Sequence, residues 1–200
     1  NSFLRDRHIE NIISKFCFSS KRFFFTHAKL SFKTRHRDAS WSPHQDNGYK
    51  KITKRKGFAI FVCLEDMNQD NGALQVYPDS HLLGTLPHIR VQQSSLGDGQ
   101  YVIPKDVIPA NIKPLSISAN KGDLIIFSQD CIHQSGQTKS SSRRLAFIFE
   151  IEEYSSFLTD DYGRVPVMAV GRLNIAEKII TNLYSQLFFI DSFVLNLSFL

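Results

Sequence analysis

The feature that most constrains the fold of this chain is a set of potential metal ligands that lies in two segments far apart in sequence. His44 and Asp46 stand two residues apart in the stretch 41–49, and His133 lies in the later stretch 126–136. In an extended strand, residues i and i+2 point to the same face, so His44 and Asp46 can hold one ion from the same side. The fold must then place strands that are distant in sequence side by side, so that His133 joins them.

Two imidazoles and one carboxylate on one side of a metal leave its other positions open, as non-haem Fe(II) oxygenases require. Arg144 follows His133 by eleven residues and begins the apolar run 145–149. A buried guanidinium beside such a metal suits a small dicarboxylate that chelates the metal through its other end. The neighbouring Arg143 is the rival for this role. Ser135 would share the ligand side of the strand that carries His133, and its hydroxyl can donate to the same carboxylate.

Four sequence blocks follow one another in a characteristic order. They are His44-Gln45-Asp46, the block from Glu65 to His81, Gly122–Phe127 and His133–Gly136. Together with the spacing from His133 to Arg144, these blocks resemble the phytanoyl-CoA dioxygenase family of Fe(II)/2-oxoglutarate dioxygenases. The match runs roughly from residue 26 to residue 150. Asp79 departs from the family pattern, which usually has glycine before the Ser-His pair.

The resemblance implies a definite set of cofactors and ligands. His44, Asp46 and His133 would hold Fe(II), and Arg144 would bind the distal carboxylate of 2-oxoglutarate. The three remaining metal positions would serve 2-oxoglutarate and O2. The implied reaction hydroxylates an unactivated C–H of a small-molecule or acyl-CoA-like ester substrate, with release of succinate and CO2.

Several further residues have weaker signals. Lys33 and His27 match family positions that approach the co-substrate, although a solvated role explains either of them equally well. Gln45 should point away from the metal if its strand is regular. His81 reads as a packed, hydrogen-bonded structural histidine, and His88 has no partner that the sequence identifies.

The pattern of elements favours a mainly β domain. Short strands, turn-rich links and the absence of a βαβ rhythm predict a double-stranded β-helix, the jelly roll of cupin-like proteins, with flanking helices. We expect this domain to occupy residues 1–155, with a helix over 1–19 that is the remainder of a longer, truncated helical part. Residues 156–200 are expected to form a helical tail that packs on the domain or on a partner subunit.

Two segments have informative patterns. In the run 22–32, polar residues alternate with apolar ones, so the polar face of this strand is expected to look into a cavity. Residues 82–113 show no clear period and contain several Gly and Pro residues. We expect this irregular insert to cover the substrate and to hold the residues that select it.

Composition excludes little. A net charge of +5 would favour an anionic substrate, but lysines that serve solubility explain it equally well. The basic loop 50–56 lacks interleaved aromatics, so no nucleic-acid partner is expected. Three cysteines without metal spacing favour a reducing, cytoplasmic location, and no segment predicts a membrane span. The sequence does not indicate the oligomeric state.

Two other functions compete with the hydroxylase. Halogenases of the same superfamily usually replace the carboxylate ligand by Ala or Gly, and the presence of Asp46 argues against that class. A non-catalytic jelly-roll binding protein, or an inactive truncated relative, is the alternative from a different functional class.

Overall fold

A computed structural model of the chain describes residues 23–35, 40–50, 57–92, 99–139 and 141–153. Lys29–Ile151 forms one compact unit, and a second unit comprises Asn1–Ala28 and Glu152–Leu200. The helix expected over 1–19 and the tail expected over 156–200 lie outside the described residues. Among the described residues, no helix is both long and apolar enough to cross a membrane.

The architecture is mainly β, with two four-stranded sheets and a separate hairpin. The first sheet has the order β1 (Phe23–Lys33), β10 (Arg144–Glu153), β3 (Gly57–Cys63) and β8 (Leu124–Ser128). The second has the order β2 (Trp41–His44), β9 (His133–Ser135), β4 (Leu74–Val76) and β7 (Leu115–Ser116). Neighbours in each sheet are distant in sequence, which confirms the predicted jelly roll. The flanking helices within the described residues are three short 3-10 helices, Asp46–Tyr49, Gln69–Asn71 and Ser80–Leu83.

The apolar core joins strands of both sheets. Its buried members come from β3, β4, β10 and the turn before β4: Phe61, Cys63, Met67, Ala73, Leu74, Ala146 and Ile148. The apolar run of β3 is almost continuously buried, as expected for a strand that is covered on both faces. Its register with β8 pairs Phe61 with Ile125 and Ile60 with Ile126.

The polar face of β1 is turned inward at its end, in the direction that the alternation predicts. Lys33 is only 2% exposed, whereas Leu30 and Phe32 on the opposite face are 39% and 42% exposed. Burying the lysine while leaving the apolar residues accessible is unfavourable unless the lysine has polar partners. One such partner is the carbonyl of Gly136, which accepts from Nζ of Lys33.

The insert is less irregular than expected. Within it, β5 (Ile89–Gln92) and β6 (Gly99–Val102) form an antiparallel hairpin. The backbone N–H of Ile103, just after β6, donates to the carbonyl of Pro43 on β2 (2.9 Å). Gln100 donates its Nε2 to the carbonyl of Ser40 (3.1 Å) and accepts at Oε1 from the N–H of Ser42 (3.2 Å). These bonds fasten β6 beside the strand that ends at His44.

Asp79 has a left-handed backbone conformation, at the position where the resembling family usually has glycine. Its φ of 59° and ψ of 2° are left-handed, and it is the only non-glycine residue with positive φ in the described part of the chain. Aspartate tolerates this region better than most residues. The turn is thereby kept, and it buries Ser80, whose Oγ donates to the carbonyl of Tyr77 (2.6 Å) and accepts from the N–H of Ile132 (2.8 Å). His81 is exposed rather than packed, so the structural residue of this block is Ser80.

We predict that Asp79→Gly maintains or raises the free energy of unfolding, whereas Asp79→Ala lowers it by about 1 kcal/mol. Glycine adopts φ near 60° without steric cost. Alanine keeps the Cβ of aspartate but loses the short polar group that lets aspartate tolerate the left-handed region. Urea denaturation of the two variants and the native chain measures the difference. Equal stability of the Ala and Gly variants would show that the left-handed turn is absent in solution.

Candidate metal centre

The pairing of β2 with β9 brings the two histidines together. His44 and His133 are register partners in this antiparallel pair, and their ring centroids lie 4.1 Å apart. Side chains of directly paired residues project to the same face of a sheet. The ring of Phe127 packs against His133 at a centroid distance of 4.8 Å and supports its orientation.

Asp46 reaches the same point in a different way from that expected. Strand β2 ends at His44, Gln45 remains extended (φ −119°, ψ 140°), and Asp46 begins the 3-10 helix. One extended residue suffices to place Asp46 on the side of His44. The Oδ1 of Asp46 lies 3.7 Å from Nε2 of His133, and one ligand atom from each of the three residues lies within 4.8 Å of the other two.

Backbone carbonyls fix the tautomers of both rings. Nδ1 of His44 donates to the carbonyl of Ser42 (2.7 Å), and Nδ1 of His133 donates to that of Cys131 (3.0 Å). Because a carbonyl can only accept, each Nδ1 carries a proton, and Nε2 is the atom that each ring can offer to a metal. Such outer hydrogen bonds are typical of histidines that bind metals.

The charge states of the centre also suit a cation. Burial, reinforced by the nearby His133, lowers the pKa of His44 to about 3, so its ring is neutral at physiological pH. For Asp46, burial would raise the pKa, but the charges of His133, Lys29 and other neighbours outweigh it and lower the pKa below its usual value. A neutral imidazole and an ionised carboxylate are the forms that coordinate metal ions.

Gln45, between two of the ligands, connects the metal loop to two other segments. Its side chain points away from the centre, as expected, and is fully buried. Nε2 donates to the carbonyls of Gly84 (2.8 Å) and Asp130 (2.5 Å), and Oε1 accepts from the N–H of Leu86 (2.7 Å). Because Asp130 lies three residues before His133, this one amide ties both halves of the centre to the insert.

His88 is a part of the site that the sequence does not reveal. It accepts at Nε2 from the backbone N–H of Gln45 (3.0 Å) and donates from Nδ1 to the carbonyl of Leu86 (2.7 Å). Its ring lies so close to Gly48 that a Cβ there would come within 2.3 Å of the imidazole. The contact joins residues that are 43 positions apart in sequence, and no local pattern around His88 or Gln45 predicts it.

A second polar cluster surrounds Gly72. Nη1 of Arg144 donates to the carbonyl of Gly72 (2.9 Å), and Nη2 donates to Oγ of Ser31 (2.7 Å). Nζ of Lys33 donates to the carbonyl of Gly136 (2.5 Å). Gly72 has a φ of 78°, and a Cβ there would stand 2.9 Å from Cδ of Lys33, so glycine is required.

Arg144 is a buried cation that lacks an anionic partner among the described residues. It is 2% exposed, and its Nε is buried without a hydrogen-bond partner. Burial lowers its pKa to about 10, which still leaves the guanidinium charged at neutral pH. Arg143, in contrast, is an exposed side chain that pairs with Glu65. The geometry therefore distinguishes the two arginines that the sequence leaves in competition.

The remaining predicted residues lie in different places. Ser135 is buried on β9, two residues from His133 and so on the same face of the strand. His27 is exposed on β1 and belongs to the unit Asn1–Ala28, so it is described separately from the metal centre.

Chemistry and geometry together fit a metal with a small dianion. Two Nε2 atoms and one carboxylate form one side of a coordination sphere, the donor set of a facial triad. The buried guanidinium of Arg144, whose Nε has no hydrogen-bond partner, favours a carboxylate.

Comparison with known proteins agrees with this geometry. The family model for phytanoyl-CoA dioxygenase (PhyH) matches residues 4–146. The chain belongs to this family.

Two curated members show how much of a relative the chain spans. Phytanoyl-CoA dioxygenase domain-containing protein 1 of Mus musculus is 27% identical over 124 residues, which is 61% of this chain and 42% of the mouse protein. Phytanoyl-CoA dioxygenase of Arabidopsis thaliana is 30% identical over 112 residues, which is 56% of this chain and 38% of the plant protein. The chain thus spans about two fifths of the length of these family members.

Solved structures share the fold at low identity. EvdO2 from Micromonospora carbonacea var. aurantiaca superposes with a TM-score of 0.63 at 18% identity, covering 80% of this chain and 65% of EvdO2. EvdO2 complexed with 2-oxoglutarate gives a TM-score of 0.57 at 19% identity, covering 70% and 55% of the two chains. The epimerase SnoN in complex with Fe3+, alpha ketoglutarate and nogalamycin RO gives 0.52 at 15% identity, covering 75% and 63%.

We predict that Gln45→Met lowers the affinity for Fe(II) by about 10- to 100-fold, the usual cost of removing an outer partner of a metal site. Methionine preserves the length of the side chain but removes the bonds to Gly84, Leu86 and Asp130. The affinity is measured by metal titration under anaerobic conditions. Gln75→Met, on β4, is the control because it removes a glutamine that does not contact the metal loop. Unchanged affinity in Gln45→Met would exclude the positioning role.

Proposed function

We propose that this chain contains the active site of an Fe(II)- and 2-oxoglutarate-dependent dioxygenase that hydroxylates an unactivated C–H of a small-molecule or acyl-ester substrate. The observation that carries the proposal is the convergence of ligand atoms of His44, Asp46 and His133. The buried Nε of Arg144, which has no hydrogen-bond partner, adds to it. Family membership supports it, as do the fold neighbours that hold 2-oxoglutarate and Fe3+.

Each residue of the centre has a separate task. Nε2 of His44, Nε2 of His133 and the carboxylate of Asp46 would hold Fe(II). Arg144 would bind the distal carboxylate of 2-oxoglutarate through Nε and its Nη atoms, and Ser135 would donate its hydroxyl to the same group. When bound, the iron and 2-oxoglutarate supply the activation of O2, with succinate and CO2 as products.

The protein itself would orient the reactants and limit water. His44, His133 and Arg144 are at most 6% exposed, so the polar groups that meet the reactants lie in a partly dehydrated environment. Lys33 lies beside Gly72 and adds positive charge on the side of Arg144.

Two alternatives make different demands on the site. A halogenase needs space for halide where Asp46 stands. A binding protein would not need the carboxylate of Asp46 and the two imidazoles to face one point, and those three groups are costly to bury without a ligand. The metal-binding geometry therefore favours an enzyme.

We predict that His44→Ala and Asp46→Ala each lower Fe(II) affinity by more than about 100-fold, which exceeds the loss on removing an outer partner. Succinate formation should be lost with the metal. Metal content and succinate release are measured on the same sample, with circular dichroism as a check of folding. His81→Ala is the matched control because that imidazole is exposed. Full turnover in His44→Ala would refute the assignment of the ligands.

We predict that Arg144→Leu retains Fe(II) but raises the dissociation constant for 2-oxoglutarate by about 100-fold, because charge-assisted bonds to a carboxylate are lost. Arg143→Leu, which removes an exposed guanidinium, should bind 2-oxoglutarate like the native chain. Anaerobic calorimetry on the Fe(II)-loaded variants measures both constants. If Arg143→Leu shows the larger loss, the co-substrate site is wrongly placed.

A further inference from the structure

The inward face of β1 extends beyond the cluster around Gly72. Ser31 and Lys33 serve that cluster, and Lys29 lies on the same face, two residues further from it. A strand rises about 3.3 Å per residue, so the Cα of Lys29 lies about 13 Å from that of Lys33. Lys29 therefore lies at a different position along β1 from the cluster around Gly72.

Three aromatic residues, which we call the aromatic wall, border the metal centre near Lys29. The ring centroid of Trp41 lies 5.7 Å from that of His44, and the ring of Tyr49 meets His44 edge-on at 5.9 Å. Tyr101, on β6 of the insert, packs edge-on against Tyr49 at 5.1 Å. Its backbone N–H also donates to the hydroxyl of Tyr49 (3.2 Å). The insert thus supplies the outer end of the wall, and Tyr101 remains 38% exposed.

Lys29 places a positive charge on this wall. Its Nζ lies 5.8 Å from the centroid of the Trp41 ring. Its charge acts on Asp46, but it forms no salt bridge with a carboxylate of the described residues. The Trp41 ring therefore contacts both this ammonium group and the ring of His44. A half-buried cation that rests on an aromatic face can still accept an anion on its open side.

We propose that Lys29 and the aromatic wall bind the primary substrate, and that this substrate is an acid whose anionic group lies a few bonds from the reacting carbon, on a flat apolar body. The inference rests on the proposed function and names the substrate class of the same site. A carboxylate or a phosphate would satisfy Lys29 equally, and the body would pack on Trp41, Tyr49 and Tyr101.

The position of Lys29 separates this substrate from two other anions. The distal carboxylate of 2-oxoglutarate would bind Arg144, near Lys33, at the other end of the β1 face. In a CoA thioester, the pantetheine arm keeps the phosphates far from the acyl carbon that would stand at the metal. Lys29 contacts Trp41, which packs against His44. It therefore suits a substrate whose anionic group lies close to the reacting carbon.

The test measures binding of four probes to the complete chain loaded with Fe(II) and 2-oxoglutarate in the absence of oxygen. The probes are 4-phenylbutyrate, its neutral amide, 4-phenylbutyl phosphate and 4-phenylbutyryl-CoA. We expect the carboxylate or the phosphate to bind more tightly than the amide. Lys29→Met should weaken that anion about 10- to 100-fold without changing the affinity for the amide, and Lys29→Arg should restore most of the loss. Tyr101→Ala should weaken the anion and the amide alike.

Lys105→Met is the matched control, because Lys105 is an exposed lysine of the insert and its removal changes the net charge equally. The inference is overturned if no probe binds, if the CoA ester binds best, or if Lys29→Met leaves the anion unaffected. It is also overturned if Lys29→Met weakens 2-oxoglutarate itself, since Lys29 would then serve the co-substrate. Failure of the proposed function looks different, because the native chain would then bind neither Fe(II) nor 2-oxoglutarate before any probe is added.

Discussion

The antiparallel pairing of β2 with β9 is the interaction on which the centre depends. Its register places His44 opposite His133 across 89 residues of sequence, and one extended residue then carries Asp46 to the same point. Short strands hold a register weakly by themselves. Here the amide of Gln45 bonds the carbonyl of Asp130 as well as two groups of the insert, so the two strands are fastened beyond their ladder.

Burial of charge explains why this interior requires a ligand. Arg144 near Gly72 and Asp46 at the metal centre are both buried, at 2% and 9% exposure. Burying ions is unfavourable unless opposite charges meet them. An Fe(II) ion would meet the carboxylate of Asp46, and the distal carboxylate of a dianion would meet the guanidinium of Arg144. The metal and the co-substrate of the proposed reaction would therefore supply the opposite charges that these two groups lack.

The sequence predicts the metal-ligand residues better than it predicts the hydrogen bonds between loops that position them. The spacing of His44, Asp46 and His133 predicts three residues whose ligand atoms do converge, because metal coordination restricts the residue types. The inward polar face of β1 is also predicted, since alternation with a period of two is a direct consequence of strand geometry.

Contacts between distant loops are what the sequence does not predict. Nothing in the local pattern indicates that His88 folds back onto Gln45, or that its ring excludes a side chain at Gly48. The sequence does not predict the hairpin β5–β6, because the Gly and Pro residues of the insert obscure the pattern of its two short strands. The sequence also does not show that Ser80, rather than the adjacent His81, is the buried residue of its block. The spacing from His133 favours Arg144 over Arg143, but the burial that distinguishes the two side chains is not visible in the sequence.

The most direct measurement is an anaerobic crystal structure of the chain with Fe(II) and 2-oxoglutarate, with anomalous scattering recorded at the iron edge. We expect one iron bound by Nε2 of both histidines and by Asp46, with the distal carboxylate of 2-oxoglutarate on Arg144. Iron bound elsewhere, or a co-substrate that leaves Arg144 without an anion, would contradict it.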